Sequence, residues 1–150
     1  MLKEGDKVPD FSLQDAEGKV WKLSDFSGKK FVVYFYPKDN TPGCTVEACS
    51  FRDNYGEFLK RGVEVVGISP DSAVSHTKFK EKHGLPFLLL ADPDKKTIQA
   101  FGAYGEKNMY GKKIMGVIRS TFIVDASGTI AKAFPKVTPI GHAAQILSAL

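Results

Sequence analysis

The chain has 150 residues, of which 43% are hydrophobic and 25% are charged, as in ordinary globular domains. A chain of this length buries roughly two thirds of its unfolded surface on folding, so we expect a single domain over residues 1–150. No apolar run approaches the ~20 residues of a membrane span, and the N-terminus lacks the apolar core of a signal peptide. We therefore expect a cytoplasmic protein that does not contact a membrane.

The net charge of +4 raises the question of nucleic acid as a partner, and the distribution of the lysines argues against it. Basic residues are scattered along the chain with acidic residues between them, and they form no basic stripe. Two cysteines are too few for the disulfide framework of a small secreted protein. A close cysteine pair in a reducing compartment more often performs redox chemistry or binds a metal ion.

The N-terminal half predicts a hairpin and then strands that alternate with helices. Short apolar segments at 11–13 and 20–23 flank a glycine-containing turn. The run FVVYFY at 31–36 is typical of a strand buried on both faces. Apolar residues at helical spacing over 45–61, with Gly62 behind them, predict a helix. A second buried strand at 63–68 precedes a helix that Ser69-Pro70-Asp71 opens and Gly84 ends.

The C-terminal half predicts a strand at 87–90, a short helix at 94–101, strands at 117–124 and 129–134, and a last helix at 141–150. The segment 104–115 shows no clear pattern, and a mobile loop near the functional site is one interpretation. Alternating helices and buried strands predict a central sheet with helices on both faces. The late pair of strands predicts that the sheet is mixed. A thioredoxin-like α/β sandwich with an N-terminal β-hairpin fits this order.

Cys44 follows a buried strand and lies in the first turn of the next predicted helix. Thr41 is a favourable N-cap and Pro42 a favourable first residue, so Cys44 takes the third helical position. Backbone N–H groups there lack acceptors within the helix, and with the helix dipole they favour a thiolate over a thiol. A small buried hydrophobe is the ordinary alternative for a lone cysteine. A core cysteine does not need Thr-Pro-Gly before it, so the pattern favours a reactive cysteine.

The segment Pro37-x-x-x-Thr41-x-x-Cys44 resembles the active-site signature of the peroxiredoxin family. The surrounding PKDNTPGCTVEACSFRD is similar to the bacterioferritin comigratory protein, or Q-type, subfamily. Further matches cover most of the chain: GDKVPDFSLQDAEGK, LADPDKK, GEKNMYGKK and RSTFIVDASG. The resemblance implies a thiol-dependent peroxidase that reduces hydrogen peroxide and organic hydroperoxides in antioxidant defence.

In the cycle that the resemblance implies, the Cys44 thiolate attacks the peroxide and becomes a sulfenic acid. Cys49 then forms an intramolecular disulfide with it, and a thioredoxin-type dithiol reduces that disulfide. We expect no metal or other cofactor, since His76, His83 and His142 show no ligand spacing. The close cysteine spacing makes a second subunit unnecessary, so we expect a monomer.

The resemblance also implies supporting roles around Cys44. Thr41 would contact the sulfur and the peroxide, Pro37 would shield the site from water, and Arg119 matches the family's distant active-site arginine. Backbone N–H groups of Gly43 and Cys44 are suited to stabilise the departing oxygen. A structural ion pair is the alternative for Arg119. Glu47 and Arg52 match the subfamily pattern, and an ordinary role on the helix face is equally compatible with both.

Two other classes of protein compete with the peroxidase. A thioredoxin-like disulfide reductase would share the fold, but such enzymes use Cys-x-x-Cys, whereas four residues separate Cys44 from Cys49. A thiol module that acts by binding, such as a chaperone or redox sensor, is the second alternative. Peroxide consumption with and without a dithiol system distinguishes the three.

Overall fold

The computed structural model describes residues 1–150, and it contains nine strands, four α-helices and a short 3-10 helix, Leu23–Phe26. In chain order the strands and α-helices are β1 (Ser12–Asp15), β2 (Val20–Lys22), β3 (Lys30–Phe35), α1 (Pro42–Lys60), β4 (Val63–Ser69), α2 (Ala73–His83), β5 (Leu88–Ala91), α3 (Lys96–Ala100), β6 (Tyr104–Met109), β7 (Lys112–Val117), β8 (Ser120–Val124), β9 (Ile130–Phe134) and α4 (His142–Ala149). None of the four α-helices has the length and hydrophobicity of a membrane span.

Seven strands form one sheet in the order β2-β1-β5-β4-β3-β8-β9, and β6 pairs with β7 in a separate ribbon. Strands β3, β4 and β5 are parallel neighbours, whereas β1 and β8 join them in antiparallel orientation. The predicted mixed sheet and the N-terminal hairpin β1–β2 are therefore confirmed. In the β3–β8 pair, Phe35 lies opposite Ser120. This register brings the residues just before β8 to the edge where β3 ends and α1 begins.

Alternation along β3 builds a hydrophobic core on each face of the sheet. Phe31, Val33 and Phe35 face the core that α3 and the 3-10 helix cover. Val32 and Tyr34 face the second core, to which α1 contributes apolar side chains that include Phe51. Burying a large apolar side chain stabilises the fold by roughly 2 kcal/mol. Since both faces of β3 are covered, the backbone at its end is a rigid platform for the loop that leads into α1.

Helix α1 begins at Pro42, as its sequence predicts, and Cys44 takes the third helical position. Thr41 has the extended backbone of an N-cap residue, but its side chain does not cap the helix. The Thr41 hydroxyl donates instead to the carbonyl of Lys38 at 2.9 Å. Thr41 is therefore the N-cap residue by position, as predicted, while its hydroxyl bonds to the preceding loop.

Three other expectations need correction. Helix α2 begins after Ser72, whose hydroxyl accepts the N–H of Ser75, and not at the predicted Ser69-Pro70-Asp71. The predicted strand 117–124 is interrupted: β7 ends at Val117, and β8 begins at Ser120. The segment 104–115, interpreted as a mobile loop, forms most of the β6–β7 hairpin. This hairpin escapes a search for buried strands because most of its side chains are exposed or only half-buried.

Candidate active site

Cys44 lies in the first turn of α1 and is almost fully buried, with 1% of its surface exposed. Its thiol is free. An α-helix leaves its first N–H groups without internal acceptors, and Gly43 and Cys44 belong to this turn. The partial positive charge of the helix N-terminus therefore acts at the Cys44 sulfur.

Arg119, just before β8, contacts Cys44 in the first turn of α1. Its Nη2 donates to the Cys44 Sγ at 3.3 Å, and its Nη1 donates to the Glu47 Oε1 at 2.7 Å. The guanidinium thus connects two side chains of the same helix turn. Arg119 follows the end of β7 and precedes β8, so the antiparallel β3–β8 register places it here. The structure brings the predicted Arg119 and Cys44 together.

Glu47 is completely buried beside Arg119, and its second oxygen, Oε2, has no hydrogen-bond partner in the protein. Burial raises the pKa of Glu47 to about 7, although the charge and hydrogen bond of Arg119 act in the opposite direction. Burial alone would lower the pKa of Arg119, but the charges of Glu47 and Cys44 outweigh it and raise that pKa. The arginine therefore stays charged between two groups whose negative charge it stabilises.

A role in the site and a role on the helix surface were equally compatible with Glu47 in the sequence, and its contact with Arg119 places it beside Cys44. The available signal was its spacing of three residues from Cys44, which places both on one face of a helix. Arg52 does not join them. Its guanidinium contacts the Asp53 carboxylate and the His83 carbonyl instead.

Two more polar side chains near the site were missed by sequence reasoning. The Tyr34 hydroxyl is buried without a hydrogen-bond partner, and burial, followed by the charges of Glu47 and Cys44, raises its pKa well above the ordinary value. Lys107 of the β6–β7 hairpin donates to the Val117 carbonyl at 3.0 Å. Burial and the charge of Arg119 lower the pKa of Lys107. No local sequence pattern indicates either side chain as part of the site, because they come close to Cys44 and Arg119 only in the folded chain.

The remaining predicted site residues differ in how closely they approach Cys44. A Cβ added at Gly43 would lie 3.2 Å from the Arg119 Nη2, so glycine allows the guanidinium to come close to the helix start. The Thr41 hydroxyl forms its hydrogen bond with Lys38 and not with Cys44. Pro37 lies two residues beyond β3 and is half-buried.

Cys49 lies on the same helix as Cys44, is half-buried and is also a free thiol. Five residues along an α-helix separate two Cα atoms by about 8.6 Å and rotate them by about 140°. A disulfide requires Cα atoms within about 7 Å and converging Cβ atoms. The two thiols therefore cannot join while α1 keeps its helical form.

The size of a cavity does not identify this site. A cavity of about 600 Å³ lies elsewhere and is lined by residues of β1 and of the segment before α3, such as Ser12 and Asp92. The chemistry is concentrated at Cys44 instead. A buried thiol between a helix N-terminus and a guanidinium is suited to react as a thiolate and to stabilise negative charge on a departing oxygen.

A buried cysteine between a helix N-terminus and an arginine, just after a central strand, is typical of thiol-dependent enzymes of the thioredoxin fold. The model of the AhpC/TSA family matches residues 4–133. Peroxiredoxin Bcp of Bacillus subtilis is 49% identical over 149 residues, which cover 99% of this chain and 95% of that protein. Peroxiredoxin Bcp of Escherichia coli is 46% identical over 141 residues, which cover 94% and 90%.

Solved structures agree with these relatives. The bacterioferritin comigratory protein of Xanthomonas campestris, described with alkyl peroxide reduction activity, is 41% identical with a TM-score of 0.87 over 93% of this chain and 88% of that one. A cysteine-to-serine variant of PrxQ from Xylella fastidiosa is 34% identical with a TM-score of 0.93 over 99% and 95%. This chain belongs to the peroxiredoxin family, with the Bcp or Q-type members as its relatives, and it is a thiol-dependent peroxidase.

Proposed function

We propose that Cys44 is the nucleophile of this peroxidase, acting on hydrogen peroxide and organic hydroperoxides. The observation that carries the proposal is the 3.3 Å hydrogen bond from Arg119 to the sulfur of a cysteine in the first turn of α1. The thiolate attacks the terminal peroxide oxygen, a sulfur–oxygen bond forms, and the oxygen–oxygen bond breaks. The other oxygen leaves as alkoxide or hydroxide and takes a proton to become alcohol or water, while the sulfur becomes a sulfenic acid.

The groups around Cys44 stabilise the charge that moves onto the departing oxygen. Arg119 holds a fixed planar cation beside the sulfur, and the N–H groups of the first helical turn point the same way. Gly43 leaves space for this approach, and Pro37 limits the access of water. Thr41 contributes its hydroxyl to the substrate after releasing the Lys38 carbonyl that it contacts here.

Cys49 completes the proposed cycle as the resolving thiol. Its sulfur attacks the sulfur of the Cys44 sulfenic acid, water leaves, and an intramolecular disulfide remains. A thioredoxin-type dithiol then reduces that disulfide by thiol–disulfide exchange and is itself oxidised to a disulfide. Both thiols lie on α1, so no residue of a second chain is needed.

We also propose that the protein acts in antioxidant defence as a cytoplasmic monomer with one domain over residues 1–150. Two free thiols that need a dithiol for recycling suit a reducing compartment. The groups placed in the reaction all come from one chain: Cys44, Cys49, Arg119, Thr41, Gly43 and Pro37.

The decisive experiment is peroxide consumption by the wild type and by Cys44→Ser, each with and without a thioredoxin system. We expect Cys44→Ser to keep its far-ultraviolet circular dichroism and to lose consumption entirely, because serine does not form an anion at neutral pH. Wild type without the dithiol should consume one equivalent and stop. If Cys44→Ser keeps more than a trace of the activity, Cys44 is not the nucleophile.

A further inference from the structure

A buried polar cluster lies below the loop that joins β3 to α1, and the proposed chemistry uses none of it. Asp39 is 6% exposed, and its Oδ1 accepts the Tyr36 hydroxyl at 2.7 Å. Its Oδ2 accepts the Ser75 hydroxyl at 2.8 Å and lies 2.7 Å from the His76 Nδ1. The backbone N–H of Asp39 donates to the Asp71 carboxylate at 2.8 Å. Asp39 is thus bound to the end of β3, to the loop after β4 and to α2.

Hydrogen bonds from its neighbours keep the Asp39 carboxylate charged within this cluster. Burial raises the pKa of Asp39, but the hydrogen bonds from His76, Tyr36 and Ser75 outweigh it and hold that pKa below its ordinary value. The carboxylate therefore accepts and cannot donate. The other ring nitrogen, Nε2, lies 3.1 Å from the Leu90 carbonyl, which is also only an acceptor. Both ring nitrogens of His76 thus face hydrogen-bond acceptors, and the ring links Asp39 to the Leu90 carbonyl.

A metal site is the alternative use of such a cluster, since one ligand atom each of Asp39, Asp71 and His76 lies within 4.8 Å of the others. Three of the four carboxylate oxygens of Asp39 and Asp71 already accept hydrogen bonds. Asp71 Oδ2 accepts the Ser69 hydroxyl and the Asp39 N–H, while both oxygens of Asp39 have donors. The cluster is satisfied by hydrogen bonds and acts as an anchor of the chain.

The anchor lies just before the segment that has to move. Asn40 follows Asp39 with φ of 61°, the left-handed region that is uncommon for residues other than glycine, and α1 begins two residues later. The hydrogen bonds of Asp39 therefore hold the chain just before α1 in the conformation from which the intact helix starts, with Cys44 in its first turn.

We propose that Asp39 and His76 are positioning residues that hold the closed conformation, in which Arg119 contacts the Cys44 sulfur, against the open conformation needed for the disulfide. This inference rests on the proposed roles of Cys44 and Cys49. Peroxide reacts in the closed conformation, and Cys49 resolves the product in the open one. A weaker anchor shifts the population towards the open conformation, because the loop before α1 loses its attachment to α2.

The consequence is a change in the fate of the sulfenic acid. In the closed conformation a second peroxide oxidises it to sulfinic acid, whereas in the open conformation Cys49 captures it. Weakening the anchor therefore lowers the ratio of sulfinic acid to disulfide and slows the first reaction with peroxide.

The test is the ratio of sulfinic acid to disulfide at Cys44, measured by mass spectrometry after reaction with a fixed excess of hydrogen peroxide. Asp39→Asn removes the charge and keeps the side-chain shape. We expect its ratio to fall about tenfold, the low end for loss of a charge-assisted hydrogen bond. Ser75→Ala removes one neutral donor to Asp39 and should lower the ratio less. It also serves as the second variant if Asp39→Asn does not fold.

Asp125→Asn is the matched control, because Asp125 accepts several hydrogen bonds in the turn after β8, at the opposite end of the sheet. Its ratio should equal that of the wild type. Amide exchange over residues 40–49 should be faster in Asp39→Asn and Ser75→Ala than in the control. An unchanged or higher ratio in either anchor variant overturns the inference and leaves the proposed cycle intact. Failure of the wild type to form the Cys44–Cys49 disulfide would overturn both.

Discussion

At the scale of single residues, the guanidinium of Arg119 links the reactive sulfur to a buried carboxyl group. One nitrogen donates to Cys44 and another to Glu47, so the planar shape of the side chain allows both contacts at once. A lysine has one ammonium on a flexible stem and cannot occupy both positions in the same way. The geometry of the cation is therefore part of the site, in addition to its charge.

We expect Arg119→Lys to slow sulfenic acid formation by about 100-fold, the cost of losing one positioned donor to a developing anion. Stopped-flow measurement of the first reaction with peroxide checks this value. Arg52→Lys is the matched control, since Arg52 lies on the same helix but contacts Asp53 and the His83 carbonyl. Reaction at the wild-type rate by both Arg119→Lys and Arg119→Ala would make Arg119 a structural residue.

We expect the buried Glu47 to make the free energy of unfolding depend on pH in the direction opposite to that of a surface carboxylate. Burial raises its pKa in the folded protein to about 7 from 4.5, so the native state binds the proton more tightly than the unfolded state. The contribution of Glu47 to the free energy of unfolding is complete below pH 4.5 and is lost as pH rises towards 7. The loss is at most about 3 kcal/mol.

Urea unfolding between these pH values measures the effect in two chains, the Cys44→Ser variant as parent and the same variant with Glu47→Gln, so that oxidation of Cys44 cannot interfere. Glutamine does not titrate, so the difference between the two free energies of unfolding isolates Glu47. We expect the variant to gain stability relative to its parent as pH rises. A parent that gains stability instead would show that attraction to Arg119 outweighs burial.

The contact between Glu47 and Arg119 also shows the limit of sequence reasoning about single residues. Cys44 could be identified because its helical position and the residues before it are local features. Glu47 could be placed on the Cys44 face of the helix, but its partner is 72 residues away. The pairing depends on the register of β3 with β8, which no local pattern contains. The same reason explains why Tyr34 and Lys107 were missed.

At the scale of elements, the sequence predicts those strands that have two buried faces or a clear turn beside them. β3 and β4 are nearly continuous apolar runs, so both were found close to their observed bounds. The β6–β7 hairpin was not found, because it lies outside the main sheet and has no fully buried face. The period of apolar residues in a sequence indicates which face of an element is buried. A hairpin with few buried side chains therefore shows only a weak period.

The proposed cycle places two requirements on helix α1 that a single conformation cannot meet. Its first turn must be intact to place Cys44 next to Arg119, and the same helix keeps the Cys44 and Cys49 Cα atoms about 8.6 Å apart, too far for a disulfide. We therefore expect the helix to unwind through Cys49 when the disulfide forms. Amide exchange over residues 42–49 should be faster in the disulfide form than in the reduced form. Equal protection in both forms, with the disulfide confirmed by mass spectrometry, would contradict this.

Removing the resolving thiol should separate the two halves of the cycle. Cys49→Ser keeps Cys44 and Arg119, so we expect one turnover with peroxide at the wild-type rate. Recycling by a thioredoxin-type dithiol should be lost, because no Cys44–Cys49 disulfide forms. The sulfenic acid then persists until it reacts with a second peroxide, so sulfinic acid should accumulate faster than in the wild type. Full multiple turnover with the dithiol would show that Cys49 is not required.

At the scale of the whole molecule, the mixed sheet explains how distant segments form one site. β3 delivers α1 and the Asp39 anchor to one edge, and antiparallel β8 begins at that same edge with Arg119 just before it. Parallel β4 ends there as well and leads into α2, which carries His76. The groups proposed for reaction, resolution and anchoring thus all lie in a single chain.

This arrangement leads to the prediction that activity does not depend on assembly. Cys44, Arg119 and Cys49 lie in one chain, so peroxide consumption per chain should stay constant as the protein is diluted from micromolar to nanomolar concentration. Sedimentation should give a mass near 16.4 kDa for both the reduced and the disulfide forms. Oxidised Cys49→Ser is the reference for assembly, since its Cys44 can form disulfides only between chains. A fall in activity per chain on dilution, or a doubled mass of the oxidised wild type, would show that a second subunit completes the site.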